Sequence, residues 1–378
     1  MICNRNFPAS LRIGAFNMEK FRVGIIGATG MVGQRFISLL KDHPWFEVNC
    51  VAASARSAGK TYREAVGERW AFAWEIPEKV AGMTVVDAAD IDEVSKHVDF
   101  VFCAVDMKKD EIRALEEAYA KHEIPVVSNN SACRGIEDVP MVVPEINADH
   151  LAVIEAQKKR LGTKNGFIAV KPNCSIQSYV PALTPLLDFE PEKVSVCTYQ
   201  AISGAGKTFK TWPEMVDNVI PYIGGEDEKS ENEPLKLWGH VEDGKIVNAA
   251  LPVISAQCLR VACSDGHMAA VSVSFKKKPT IEQIKERWAN YETEAQRLEL
   301  PSAPKPFLQY FEDPSRPQTR LDRDFQNGFG VSIGRLREDK LFDYRFVCLS
   351  HNTVRGAAGG GILTAELLCR KGYIPHRV

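Results

Sequence analysis

Apolar and polar positions change period repeatedly along the first half of this chain. Phe21 to Ile26 is a short apolar run, and after a glycine-bearing turn the segment Gln34 to Leu40 spaces its apolar residues along one helical face. A second strand begins near Glu47 and runs through Val48 to Ser54. Asp99 to Val105 reads as a buried strand, Met107 to His122 as a helix, and Ile124 to Val127 and Phe167 to Val170 as further short strands. Strands alternating with helices predict a parallel, doubly wound sheet.

The second half has a different rhythm. Ile176 to Leu187 is apolar enough for a buried helix despite Pro181 and Pro185, but between 190 and 350 strands outnumber helices. Val194 to Tyr199, Leu251 to Val261, Met268 to Phe275, Gly330 to Arg337 and Phe342 to Leu349 all read as strands. The turn Ser264-Asp265-Gly266 lies between two of them, which predicts two strands joined at their tips. Pro301 to Arg323, rich in proline and charge, is expected to be a long excursion outside the core. The predicted second domain is therefore α+β, with a mixed, largely antiparallel sheet.

At 378 residues the chain exceeds the size at which one core keeps growing, so two domains are expected. A formal net charge of -2 gives no overall basic surface, so neither nucleic acid nor a membrane surface is an expected partner. No apolar run approaches the roughly 20 residues of a membrane helix. The ten cysteines are scattered, with no C-x-x-C pair, so no metal site and no disulfide framework is expected. A reducing cytoplasm fits that usage best. Residues 1–17 hold Arg5 and Arg12 and no acid, and are expected to be a disordered extension.

Against this frame the turn after the first strand acquires chemistry. Gly27-Ala28-Thr29-Gly30-Met31-Val32-Gly33 lies between a strand and a helix, the context of a dinucleotide fingerprint. Gly27 and Gly30 allow the tight turn and close approach to a pyrophosphate, and Gly33 lets the helix pack on the sheet. The first domain is thus expected to be Rossmann-type. Where an NAD site places an acid, at the end of the second strand, this chain has Ser54, Arg56 and Ser57, a set suited to a 2′-phosphate. The expected cofactor is NADP. Ser128 to Arg134 is a polar loop at a strand's carboxyl end, with Arg134 its only cation.

Lys171-Pro172-Asn173-Cys174-Ser175 joins a strand to a helix, so Cys174 is expected near a helix N-terminus, where partial positive charge favours a thiolate. Gln200 ends an apolar strand and opens a glycine-rich loop, and Arg260 and His267 bracket a polar turn. A cation and an imidazole placed this way can enter one pocket.

Gly-Ala-Thr-Gly-x-Val-Gly, Pro-Asn-Cys-Ser, Gln200 to Gly206, and Arg260-Val261 with Gly266-His267 resemble the aspartate-semialdehyde dehydrogenases in order and spacing. Asn218 to Ile223 and Ser350 to Ala358 are similar to segments of the archaeal and fungal branch. The resemblance implies Cys174 as nucleophile, Gln200 as the residue orienting the bound intermediate, and His267 as general acid/base. It further implies Arg260 on the substrate's distal carboxylate, Glu226 on its ammonium group, and Lys229, Asn129 and Arg134 on the phosphate. Glu226 is one of three consecutive acids, Glu226-Asp227-Glu228, and the spacing to Lys229 selects it. Thr29, Met31 and Val32 belong to the matched turn, Ser203 and Gly204 would line the cofactor cleft, and Asn352 would touch the nicotinamide amide. Lys171 departs from the family's usual Asn or Ser, and pointing inward it would lower the thiol pKa. The activity implied is reduction of an acyl phosphate, L-aspartyl 4-phosphate, with release of inorganic phosphate. An acyl-CoA reductase of the malonyl-CoA type shares the same catalytic residues. The implied organisation is an NADP-binding domain over 18–172, a catalytic and dimerisation domain over 173–351, and a helix over 352–378 returning to the first. A homodimer or homotetramer is expected.

Overall fold

The computed structural model describes residues 19–377, and the extension expected over 1–17 lies outside the described residues. β1 (Phe21–Ile26) is buried over its last four residues. It is joined by β2 (Phe46–Ala53), β3 (Val86–Asp87), β4 (Phe100–Cys103), β5 (Val126–Ser128) and β6 (Ile168–Val170) in a six-stranded sheet of order β3-β2-β1-β4-β5-β6. Every pair is parallel, as the alternation of strands and helices predicted. The order reverses between β1 and β4, which is where open sheets of this kind receive ligands.

The turn after β1 is shaped chiefly by its backbone, with the Tyr62 hydroxyl donating to Ala28 O at 2.8 Å and Gln34 Nε2 to Thr29 O at 3.0 Å. Gly27 adopts φ +87°, and a β-carbon there would lie 2.7 Å from the carbonyl carbon of Ala104. The N–H groups of Gly27 and Ala28 both donate to Ala52 O, at 2.9 and 3.0 Å. A β-carbon on Gly33 would lie 2.7 Å from Ala28 Cα, so glycine lets α1 (Met31–Leu40) sit directly on the turn. α1 then buries Phe36, Ile37 and Leu40. Each such side chain contributes roughly 1.5–3 kcal/mol by leaving water. α2 (Lys109–Lys121) and α3 (Ile154–Leu161) follow β4 and precede β6.

The chain then enters α4 (Ile176–Leu183), whose eight residues are all buried. The predicted helix ends there, not at Leu187: Pro185 lacks an N–H, and the chain tightens into a 3₁₀ turn over Thr184–Phe189. α4 packs in one apolar cluster with Val101 and Val126 of the first sheet and Val194, Val271 and Phe346 of the second.

That second sheet holds β7 (Pro191–Gln200), β8 (Val219–Ile220), β11 (Val253–Val261), β12 (His267–Phe275), β13 (Leu308–Phe311), β14 (Val331–Glu338) and β15 (Tyr344–Ser350). β9 (His240–Glu242) and β10 (Lys245–Val247) form a separate hairpin. The seven strands take the order β13-β14-β15-β12-β7-β11-β8. β7 with β11 and β13 with β14 are parallel, and the other neighbours are antiparallel. α5 (Glu226–Leu237) lies against β11.

Two expectations are corrected here. β11 and β12 are not joined as a hairpin: β7 lies between them, and residues 262–266 cross its end. Ile202 N–H donates to Cys263 O at 2.9 Å and Ser203 N–H to Ser264 O at 3.2 Å, which holds the crossing in place. Two alternating strands around a short turn give the same pattern whether they pair or flank a third. The excursion over 301–323 also contains β13, an edge strand whose Leu308, with neighbouring Phe307, is buried in the core.

A π-type turn over Val354–Ala358 leads into α6 (Gly359–Arg370). Its Ile362, Leu363, Leu367 and Leu368 pack with Phe36, Phe100 and Phe102 of the first sheet's core. Arg355 forms a buried pair with Glu145, Nη1 to Oε1 2.7 Å, between the segment before α6 and the loop before α3.

Candidate active site

Cys174 lies between the end of β6 and the start of α4, one residue before the helix N-cap Ser175. Asn173 fixes this corner: its Oδ1 accepts Ser175 N–H at 2.7 Å and Ser175 Oγ at 2.7 Å. Opposite stands His267, the first residue of β12, with Nε2 at 3.4 Å from Cys174 Sγ. Its Nδ1 accepts the Ala201 N–H at 3.1 Å, so a neutral ring carries its proton on Nε2, facing the sulfur. Burial, followed by the nearby Arg260 charge, lowers the imidazole pKa to about 3.

Strand register supplies the next two groups. Gln200 at the end of β7 pairs with Arg260 on one side, while Met268, next to His267, pairs with Tyr199 on the other. The strand inserted between β11 and β12 is thus what sets Gln200 between the cation and the imidazole. Gln200 Nε2 donates to Glu226 Oε2 at 3.2 Å, and Arg260 Nη1 donates to Ala201 O at 2.7 Å. Gly204 closes over them: a β-carbon there would lie 2.9 Å from Arg260 Nη1 and 3.0 Å from His267 Nε2.

Glu226 opens α5 and is buried. It accepts from Asn173 Nδ2 at 3.0 Å and Lys229 Nζ at 2.8 Å. Burial pushes its pKa up, but the bonds from Lys229, Gln200 and Asn173 outweigh this and hold it below the usual carboxylate range. Among the three adjacent acids, this is the one bonded to Gln200. Asp227 instead accepts the Cys258 N–H at 2.8 Å.

Arg134 and Lys229 line one cavity of about 500 Å³. Arg134 gives Nη1 to Glu233 Oε1 at 2.9 Å and Nη2 to Asn129 O at 3.1 Å, and its buried Nε has no partner among the described residues. Glu233 also accepts the Asn173 N–H at 2.6 Å, tying the Arg134 loop to the corner beside Cys174. Asn129 meets Arg134 only through its backbone. Its side-chain amide is buried without a partner among the described residues, and Oδ1 would lie 3.2 Å from a β-carbon on Gly361 of α6.

The cofactor candidates fall in three places. Gly27, Thr29, Gly30, Met31, Val32 and Gly33 form the turn and first residues of α1; the Gly27 and Gly30 N–H groups are bonded within the sheet and the turn, and the start of α1 is a helix N-terminus of the kind that receives phosphates. Ser54 and Arg56 are exposed just beyond β2 and Ser57 is half-buried, in a turn closed by Ser57 N–H to Ser54 O at 2.8 Å. Ser203 and Asn352 stand beside His267: Asn352 Nδ2 donates to Ser203 Oγ at 2.8 Å, and its Oδ1 accepts the Gly266 N–H at 2.7 Å. The turn just beyond β2, residues 54–60, carries no carboxylate, and the glycines provide close backbone approach, so these residues fit a 2′-phosphorylated dinucleotide.

Sequence reasoning did not find Glu233 or the role of Asn173. Glu233 lies two turns along α5 from Glu226 in a run of charge that reads as a solvated face. Its distance from Arg134 in sequence leaves no local signal.

Residues 22–154 match the family model described as the semialdehyde dehydrogenase NAD binding domain. Residues 183–355 match the one described as the semialdehyde dehydrogenase dimerisation domain. The aspartate-semialdehyde dehydrogenase of Schizosaccharomyces pombe is 45% identical over 360 residues, covering 93% of this chain and 99% of that protein. That of Archaeoglobus fulgidus is 43% identical over 357 residues, covering 94% and 100%. The crystal structure of aspartate semialdehyde dehydrogenase with NADP from Candida albicans superposes with a TM-score of 0.85 at 39% identity, covering 94% of this chain and 100% of that one.

Proposed function

The chain belongs to the aspartate-semialdehyde dehydrogenase family, and from that premise we propose how its residues divide the work. It is an NADP-dependent enzyme of the L-aspartyl 4-phosphate to L-aspartate 4-semialdehyde interconversion. The observation that carries the assignment of roles is Cys174 Sγ at 3.4 Å from His267 Nε2, in a pocket that also gathers Gln200, Arg260 and Glu226.

The Cys174 thiolate attacks the acyl carbon, the C–O bond to phosphate breaks, and a thioester forms as inorganic phosphate leaves. Arg134 and Lys229, which line one cavity, hold the phosphate, and Asn129 lies beside Arg134. Arg260 binds the distal carboxylate and Glu226 the ammonium group, which sets the acyl carbon over Sγ. NADPH, when bound at the glycine turn with Ser54, Arg56 and Ser57 on its 2′-phosphate and Asn352 near its amide, supplies the hydride that reduces the thioester. Gln200 orients the tetrahedral adduct. His267 works at Nε2, the ring atom that faces the sulfur and the carbon bound to it, so the proton on the thiohemiacetal oxygen passes through that atom. Collapse of the adduct releases the aldehyde and regenerates Cys174.

The reaction run backward is the test: aldehyde, phosphate and NADP should give phosphate-dependent NADPH formation that Cys174→Ala abolishes. No NADPH from the wild-type chain would sink the reading. Coenzyme A replacing phosphate, with Glu226→Gln harmless, would point instead to the acyl-CoA reductase, which the comparisons do not favour.

The matched dimerisation domain supports a homo-oligomer. We place its contact on the open face and β8 edge of the second sheet, where Val219, Tyr222 and Val253 are exposed, with a dimer or tetramer as the assembly. Among the described residues no helix is long and apolar enough to cross a membrane. A cytoplasmic setting accords with the unpaired thiols of Cys103, Cys133 and Cys348.

A further inference from the structure

Lys171 is a buried amine three residues before the nucleophile, and the mechanism above does not use it. It is 3% exposed. Its Nζ carries up to three N–H groups and, among the described residues, bonds to one acceptor, the carbonyl of the adjacent Pro172. The other cations of the site are engaged: Arg134 with Glu233, Lys229 with Glu226, and Arg355 with Glu145. Arg260 lacks a carboxylate partner but faces the position assigned to the substrate's own carboxylate, which cancels its charge on binding.

A thiolate in this pocket needs a positive neighbour, and His267 is poorly placed to be one. Its Nδ1 already accepts the Ala201 N–H at 3.1 Å, so a second ring proton would set N–H against N–H. Two glycines fix where Lys171 runs. A β-carbon on Gly356 would lie 2.9 Å from Cys174 Cβ, and one on Gly360 would lie 3.3 Å from Lys171 Cδ. The two side chains therefore lie against the same stretch of chain, about one helical turn apart.

We propose that Lys171 is the positioning residue that supplies the positive charge opposite the Cys174 thiolate, and so sets how much of the nucleophile is ionised. This rests on the reading of Cys174 as nucleophile. No atom passes between them: the thiol proton leaves for solvent or another base, and the ammonium compensates the charge that remains. The groups around Lys171 agree. Burial and the Arg134 charge lower its pKa, Cys174 and Glu233 raise it, and Arg355 lowers it, leaving it at about 7. Glu145, paired to Arg355, lines the same small cavity as Lys171. On the sulfur, burial and Glu226 push the pKa up and prevail, contrary to the lowering expected from sequence; Lys171, Arg134 and Arg260 offset part of this rise, Lys171 most strongly of the three. The two groups consequently titrate as a pair.

The test is the rate of iodoacetamide labelling at Cys174, read by peptide mass spectrometry across pH on the full chain with NADP. Lys171→Met should move the labelling midpoint up by about one unit, a roughly tenfold slower reaction at neutral pH. Lys171→Arg, charged throughout, should move it below the wild-type value. An unshifted midpoint in a folded Lys171→Met overturns the proposal, and Lys171→Gln is read the same way if the first variant fails to fold. The wild-type chain gives a substitution-free check. The ¹³Cε resonance of Lys171 should titrate at lower pH once Cys174 is capped, and an unchanged midpoint refutes the coupling. Labelling needs no substrate, so a shifted profile in a chain without phosphate-dependent NADPH formation would keep Lys171 and remove the assigned reaction.

Discussion

The glycine turn after β1 and the pocket around Cys174 both lie at carboxyl ends of strands, and they are built in opposite ways. The turn uses seven consecutive residues, and its geometry comes chiefly from backbone: a positive φ at Gly27 and close approaches at Gly27 and Gly33. The pocket draws one or two side chains from each of several separate segments, and its geometry comes from hydrogen bonds among them. Asn173, Gln200 and Lys229 all converge on Glu226, from three different elements. A site made of backbone tolerates exchange of its non-glycine side chains. One made of side chains depends on every element that delivers them.

The comparison can be broken most severely at the junction. Arg355→Met leaves Glu145 buried without its charge partner and should cost about 3–5 kcal/mol, read by denaturant unfolding. A loss below 1 kcal/mol would mean that the pocket's frame does not depend on this pair. Gly33→Ala strikes the turn itself. Its β-carbon would meet backbone of Ala28, which cannot move aside, so a loss of about 1–3 kcal/mol is expected together with weaker NADP binding by calorimetry. Unchanged NADP affinity would show that the helix does not hold the turn in place.

A smaller effect separates the turn from the exposed residues proposed to discriminate its ligand. Arg56→Glu should lower the preference for NADP over NAD about tenfold, measured as the ratio of kcat/KM values. An unchanged ratio would place the 2′-phosphate elsewhere. The smallest effect sharpens the pocket side. Because the Glu226 pKa is held low in the folded chain, its contribution to stability is present above the unfolded carboxylate value and is lost as pH falls through the folded one. Glu226→Gln should therefore flatten the acid limb of a Tm-against-pH curve, and a parallel limb would contradict the network.

What could be read from sequence follows the same division. The turn was legible because glycine, strand and helix are contiguous and each needs its neighbours. Cys174 was legible through its proline-asparagine setting and its place before a helix. Arg260 and His267 were singled out from a turn whose strands do not pair, so the residues were noted for a geometry the chain does not have. The inserted β7 brings them into the pocket, on either side of Gln200. Glu233 was missed because nothing near it in sequence announces Arg134.

By itself, the order of residues determined the parallel sheet, its glycine turn, the thiol at a helix N-terminus and the carboxylate-free turn beyond β2, because each depends on spacing within one stretch of chain. Only the tertiary structure decided that β7 separates β11 from β12, that Glu226 among three acids joins Gln200, and that Lys171 points into the interior with a single acceptor among the described residues. Those outcomes depend on which edges pair and which charges meet between separate elements. Pairing across such distances is selected by the burial and hydrogen bonding of the whole molecule, a quantity no local pattern carries.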